Sequence, residues 1–186
     1  MADHIEQHNG IRLLDSDEWG AGGEDVCIYT DASGVGLAFW CPAASVGFQC
    51  VAPRQPDVPG IFFNEALAVV SALHHAVLGM DSNPRRILIY TDNTNTVDMF
   101  NSLRAEQAYN PLLITSVDLL LKFDRELRVF HVPGTENGVA DALSRFENAR
   151  AMQLVPGLII RPFLPPQLSD GADLLPPQQP EGAGEQ

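Results

Sequence analysis

The tetrapeptide Ile-Tyr-Thr-Asp occurs twice, ending at Asp31 and again at Asp92. Each copy closes a β-branched and aromatic run of strand-forming type. A carboxylate in that position is poor core material, and good site material if the two strands lie side by side. Two carboxylates a few ångströms apart repel and raise each other's pKa unless a cation intervenes. Oxygen-only ligands in a shallow site suit magnesium or manganese. Two further acids can reach the same place. Glu65 falls in the first turn of a helix expected over 64–79, and Asp141 in the first turn of one expected over 138–149. Taken singly, either is explained by the favourable dipole at a helix N-terminus. Asp31 and Asp92 end strands, where capping explains nothing, and jointly the four acids read as a cation site.

The elements that must position these acids follow from periodicity. "VCIYTD" (26–31), "GVGLAFWC" (34–41) and "SVGFQCVA" (45–52) are strands with short connections, hence an antiparallel meander. "PRQPDVPG" (53–60) is a loop. In "NEALAVVSALHHAVLG" (64–79) apolar residues recur at helical spacing, with Asn64 as N-cap and Gly79 as the stop. "RRILIYTD" (85–92) is a strand again. A strand, a helix and a strand imply a right-handed crossover and parallel pairing. The C-terminal ends of the two aspartate strands then coincide, where open α/β sheets place their sites. Residues 95–105 and 110–124 are helical, and 127–132 form a fifth strand, with His131 near its end read as a loop residue. The expected fold class is α/β. It has a five-stranded mixed sheet, a three-strand antiparallel meander plus two parallel strands, flanked by helices.

The chain has 186 residues, room for one such domain with tails. Residues 1–24 read as a linker or lead-in, 25–149 as the domain, and 150–186 as a proline-rich linker or disordered tail. Seven of the 14 prolines lie between Pro156 and Pro180, which argues against helix or central sheet there. The formal charge of −13 is uneven: −5 between Asp25 and Phe146, and −8 in the flanks. No apolar run approaches the roughly 20 residues that span a bilayer, so no membrane partner is expected. The N-terminus is polar and acidic, unlike a secretory signal. Cys27, Cys41 and Cys50 are odd in number and fit no zinc spacing. Reduced thiols in the cytoplasm or nucleus are the expected state.

Four stretches, "YTDASGVG", "FNEALAVVSAL", "IYTDN" and "HVPGTENGVADALSR", resemble the ribonuclease H domain of retroelement reverse transcriptases. The last is similar to the signature of the gypsy-like and DIRS-like groups. The resemblance spans about residues 25–147 and implies a ribonuclease H-like fold. It implies metal-binding catalytic acids at Asp31, Glu65, Asp92 and Asp141. It also implies a catalytic histidine ten positions before the last acid, met by His131, and an asparagine four before it, met by Asn137. The implied activity is hydrolysis of the RNA strand of RNA–DNA hybrids during reverse transcription, with a polymerase domain as partner in cis or in trans. Two Mg2+ ions (Mn2+ as substitute) about 3.5–4 Å apart would hold the scissile phosphate. Asn64, Asn93 and Asn137 are candidate substrate contacts. The basic loop with which some family members grip the hybrid is not visible, because 95–124 carries only Arg104 and Lys122 as bases. The alternative reading is a catalytically silent copy of the fold with a structural or interaction role.

Overall fold

The computed structural model describes residues 25–53 and 60–169. The meander forms as its patterning dictates, from β1 (Asp25–Ala32), β2 (Gly36–Cys41) and β3 (Val46–Val51). Helix α1 (Gly60–Leu78) crosses to β4 (Arg86–Thr91), which pairs parallel to β1. Helices α2 (Thr94–Ser102) and α3 (Asn110–Phe123) lead to β5 (Glu126–His131), parallel to β4. Helices α4 (Gly138–Ser144) and α5 (Asn148–Leu154) precede β6 (Ile159–Pro162). The sheet order is β5-β4-β1-β2-β3-β6.

Period-2 alternation along the strands gives the sheet two different faces. Leu37 and Phe39 join the larger core with Val69, Leu73 and Leu112 from α1 and α3. Ala38 and Trp40 point the other way, into a smaller cluster with Leu143, Ala151 and Leu158. Phe39 is thus the core aromatic of that strand, and Trp40 is partly buried under α4 and α5. By length and hydropathy alone α1 could cross a membrane, contrary to the expectation that no run qualifies, but here it is a core helix with 67% of its most apolar window buried.

Four expectations are corrected. The sheet has six strands: β6 adds to the free edge of β3 in parallel. Pro162 is tolerated because an edge strand can end where an N–H is not needed. The segment expected to leave the domain at 150 therefore stays on it through 169, while 1–24 and 170–186 lie outside the described residues. Helix α1 starts at Gly60, so Asn64 lies inside it rather than at its N-cap, and Glu65 lies in its second turn. Finally, the single helix expected over 138–149 is two seven-residue helices. The chain turns between them at Phe146, whose φ of 59° is left-handed and disfavoured for a large residue.

Candidate active site

The register of β1 and β4 answers why one tetrapeptide is written twice. Ile28 pairs with Ile89 and Tyr29 with Tyr90. Two residues further on, the same register brings Asp31 level with Asp92 at the C-terminal edge of the sheet. Glu65 reaches them from α1. Oxygen atoms of Asp31, Glu65 and Asp92 all lie within 4.8 Å of one another. Asp31 and Glu65 are 4% and 5% exposed, so the cluster is drawn into the protein rather than spread on its surface.

Each acid is held by named neighbours. Ser144 donates its hydroxyl to Asp31 Oδ2 at 2.5 Å, from the last residue of α4. The backbone of Ala32 and the side chain of Thr91 hydrogen-bond Glu65. Glu65 Oε2 is buried without a hydrogen-bond partner among the described residues. Asp92 faces Gly134, where an added Cβ would stand 3.0 Å from Asp92 Oδ2. That close approach explains a small residue in "HVPGTEN".

Burial, with the neighbouring charges of Asp92 and Asp141, pushes the Asp31 carboxyl up to about 7, although the Ser144 hydrogen bond opposes the rise. Burial also raises Glu65, with Asp31 and Asp92 adding to it, to about 9. Three converging carboxylates and one orphaned buried oxygen fit a divalent cation with oxygen ligands.

Asp141 is placed differently from expectation. It stands near enough to raise the pKa of Asp31, yet it is not one of the three acids that converge. Both its oxygens are taken: Arg145 Nε donates to Oδ1 and Arg150 Nη1 to Oδ2, each at 2.7 Å. Burial alone would raise the Asp141 carboxyl, but the two arginines outweigh it and lower it. The turn at Phe146 makes the second ion pair possible. On a straight helix, residues nine apart point to opposite sides, about 13 Å along the axis.

The other expected residues sort by geometry. His131 is exposed but is the last residue of β5, not a loop residue, and pairs in register with Thr91 beside Asp92. Asn93 caps α2, accepting from Thr96 N at 3.0 Å. Asn137, expected to touch substrate, is 1% exposed and donates to the Thr30 carbonyl at 2.9 Å. Its amide nitrogen ties the start of α4 to β1 next to Asp31, while its Oδ1 is buried without a hydrogen-bond partner among the described residues. Asn64 is half-buried within α1.

Sequence reasoning missed the frame that fixes α4. Ser33 donates to the Ser144 carbonyl at 2.7 Å and accepts from the backbone of Val35 and Gly36. Gly36 lies so close beneath that an added Cβ would be 2.5 Å from the Ser144 carbonyl oxygen. Thus "DASGVG" and "ADALS" interlock. A signal existed for Ser144, since a residue three past Asp141 on a helix shares its side.

Sheet order, crossover and helix placement define a ribonuclease H-like fold. Among solved structures, the chain is similar to ribonuclease H1 of the halophilic archaeon Halobacterium salinarum NRC-1. The identity is 19% over 70% of this chain and 99% of that one, with a TM-score of 0.50. It is also similar to LC11-RNase H1, solved in complex with an RNA/DNA hybrid. There the identity is 16% over 67% of this chain and 98% of that one, with a TM-score of 0.52. At such identities the likeness is one of fold. No family model and no curated protein matches the chain.

Proposed function

We propose that this chain is a metal-dependent endonuclease that hydrolyses the RNA strand of RNA–DNA hybrids, in the setting of retroelement reverse transcription. The observation that carries the reading is the register-matched pair Asp31 and Asp92, joined by Glu65 with oxygens within 4.8 Å, on this fold. The retroelement setting and a polymerase partner rest on the sequence motifs, and an intracellular location on the polar N-terminus and the cysteine count.

Asp31, Glu65 and Asp92 would hold Mg2+, with Mn2+ as a substitute. Bound divalent cations supply an activated water and charge stabilisation at a scissile phosphate. The chain's own residues prepare that chemistry. Ser144 fixes Asp31 Oδ2, leaving the other oxygen to the cluster. Thr91 and the Ala32 backbone orient Glu65 so that Oε2 is the atom presented. His131, exposed on the rim beside Asp92, would relay a proton at the leaving 3′ oxygen. Choice of RNA over DNA would come from 2′-hydroxyl contacts in the wide minor groove.

One observation favours the alternative of a catalytically silent domain: Asp141 is engaged by two arginines instead of joining the cluster. A single experiment separates the two. A labelled RNA–DNA hybrid is incubated with the protein and magnesium, beside single-stranded and duplex controls, and again with manganese. Cleavage of the RNA strand of the hybrid alone is expected, and no cleavage in either metal would overturn the nuclease reading.

A further inference from the structure

Residues 95–124 carry only Arg104 and Lys122 as bases, and the whole chain carries −13. Something near the acids must still meet a phosphodiester for the proposed reaction to run. Arg145 and Arg150 are drawn directly onto a site acid. Their side chains are 52% and 47% exposed, and both end on the same carboxylate. Arg145 is also near enough to Asp31 to feel its charge. Arg150 is shared with Glu147, whose Oε2 lies 2.9 Å from the same Nη1.

We propose that Arg145 and Arg150 form a phosphate-binding pair for the nucleic-acid backbone, with Asp141 as the counter-ion that occupies it when neither cation nor substrate is present. The inference rests on the nuclease reading and deepens it. A guanidinium fork binds a phosphate through the same paired donors that it offers a carboxylate. Exposed ion pairs are weakly held, so this one can be exchanged. When Asp141 turns toward the cation site, both guanidinium groups lose their partner at the edge where the scissile strand must lie. The exchange is arranged by the fold: the turn at Phe146 folds α5 back, and without it Arg150 would point away from Asp141.

The test is hybrid binding in EDTA, read by fluorescence anisotropy at several salt concentrations. Asp141→Asn and Asp92→Asn each remove one negative charge from the site, but only the first frees the arginines. Asp141→Asn should bind the hybrid several-fold more tightly than Asp92→Asn. Its salt slope should be steeper by about one unit for each further phosphate that the freed arginines neutralise. Adding Arg145→Gln and Arg150→Gln to Asp141→Asn should abolish the tighter binding, and Arg150→Gln alone should abolish part of it. Far-UV circular dichroism checks that each variant is folded, which the exposure of both arginines favours. Equal binding by Asp141→Asn and Asp92→Asn, or tighter binding that survives loss of both arginines, would overturn the proposal. Cleavage plays no part in these readings, so a wild-type chain that failed to cut would count against the nuclease reading alone.

Discussion

At Asp31 and Glu65, burial and mutual repulsion retain protons that ordinary carboxyls lose well below neutrality. The consequence for stability has a definite sign. Both folded-state pKa values are raised, so the metal-free fold is favoured below the ordinary carboxyl range. That advantage is lost as pH climbs through about 7 for Asp31 and about 9 for Glu65. The melting temperature in EDTA should therefore fall between acid and pH 9, and millimolar Mg2+ should flatten the fall by binding the folded state. Calorimetry across that range, with and without Mg2+, reads this directly; a flat metal-free profile would mean the acids do not converge in solution. Asp31→Asn should raise the metal-free melting temperature by removing repulsion. The same change should lower hydrolysis on the order of 10³-fold or more, since cation-assisted charge stabilisation is worth several kcal/mol. A variant that cuts near the wild-type rate would sink the assignment. The acids were legible in the sequence because residue type, strand-end position and repetition coincide at Asp31 and Asp92. Ser144 and Arg145 carried only a helical-spacing signal from Asp141 and Arg150 none, because what they touch depends on where α4 lands and where the chain turns after it.

At the scale of elements, the site depends on how closely α4 can lie on the sheet. Gly36 and Gly47 make that approach possible, since an added Cβ would stand 2.5 Å from the Ser144 carbonyl oxygen and 2.6 Å from Leu143 Cδ1 respectively. At Gly36 the Cys50 carbonyl oxygen would also be 2.9 Å away, so two of the clashes are with backbone that cannot swing aside. Gly36→Ala should cost about 1–3 kcal/mol by overpacking. It should reduce cleavage beyond that, because lifting α4 withdraws Ser144 from Asp31. Urea denaturation beside the cleavage assay separates the two losses, and an unchanged rate in the folded variant would refute the coupling. Gly134→Ala meets only the tip of the Asp92 carboxylate. It should leave stability nearly unchanged and weaken Mg2+ binding, as measured by titration calorimetry. The meander, the crossover helix and both parallel strands could be read from period and turn residues. The glycines could be read only as turn or strand residues, since nothing local in "GVG" or "SVG" announces a helix packed above. The break at Phe146 was equally silent, because "ADALSRFENA" has no proline or glycine to mark it.

At the scale of the molecule, most of the excess negative charge lies outside the described residues. Affinity for a polyanion comes mainly from phosphate neutralisation and falls steeply with salt, and this chain opposes it with charge that lies largely outside residues 25–169. Residues 1–24 carry six acids and one base, and 170–186 carry four acids and no base, so removing them changes the net charge by +5 and +4. The proline content that marked 150–186 as a tail holds for its composition but missed the part that pairs with β3, because an edge strand needs only four residues and one free flank. The boundary chosen for trimming therefore decides the outcome. A chain of residues 25–169 should bind the hybrid more tightly than the full chain, with each deletion contributing similarly. A chain ending at 149 should instead lose stability, because β6, most of α5 and the buried Leu158 go with the cut. Burying one such leucine is worth about 2 kcal/mol, which corresponds to a fall of roughly 4–8 °C in melting temperature for a domain of this size. It would also lose Arg150, so any electrostatic benefit from shedding acids should be offset. Anisotropy at two salt concentrations and a thermal melt on the three chains decide between these outcomes. If trimming to 25–169 weakens binding, the flanks belong to the grip on the substrate and the electrostatic reading is wrong.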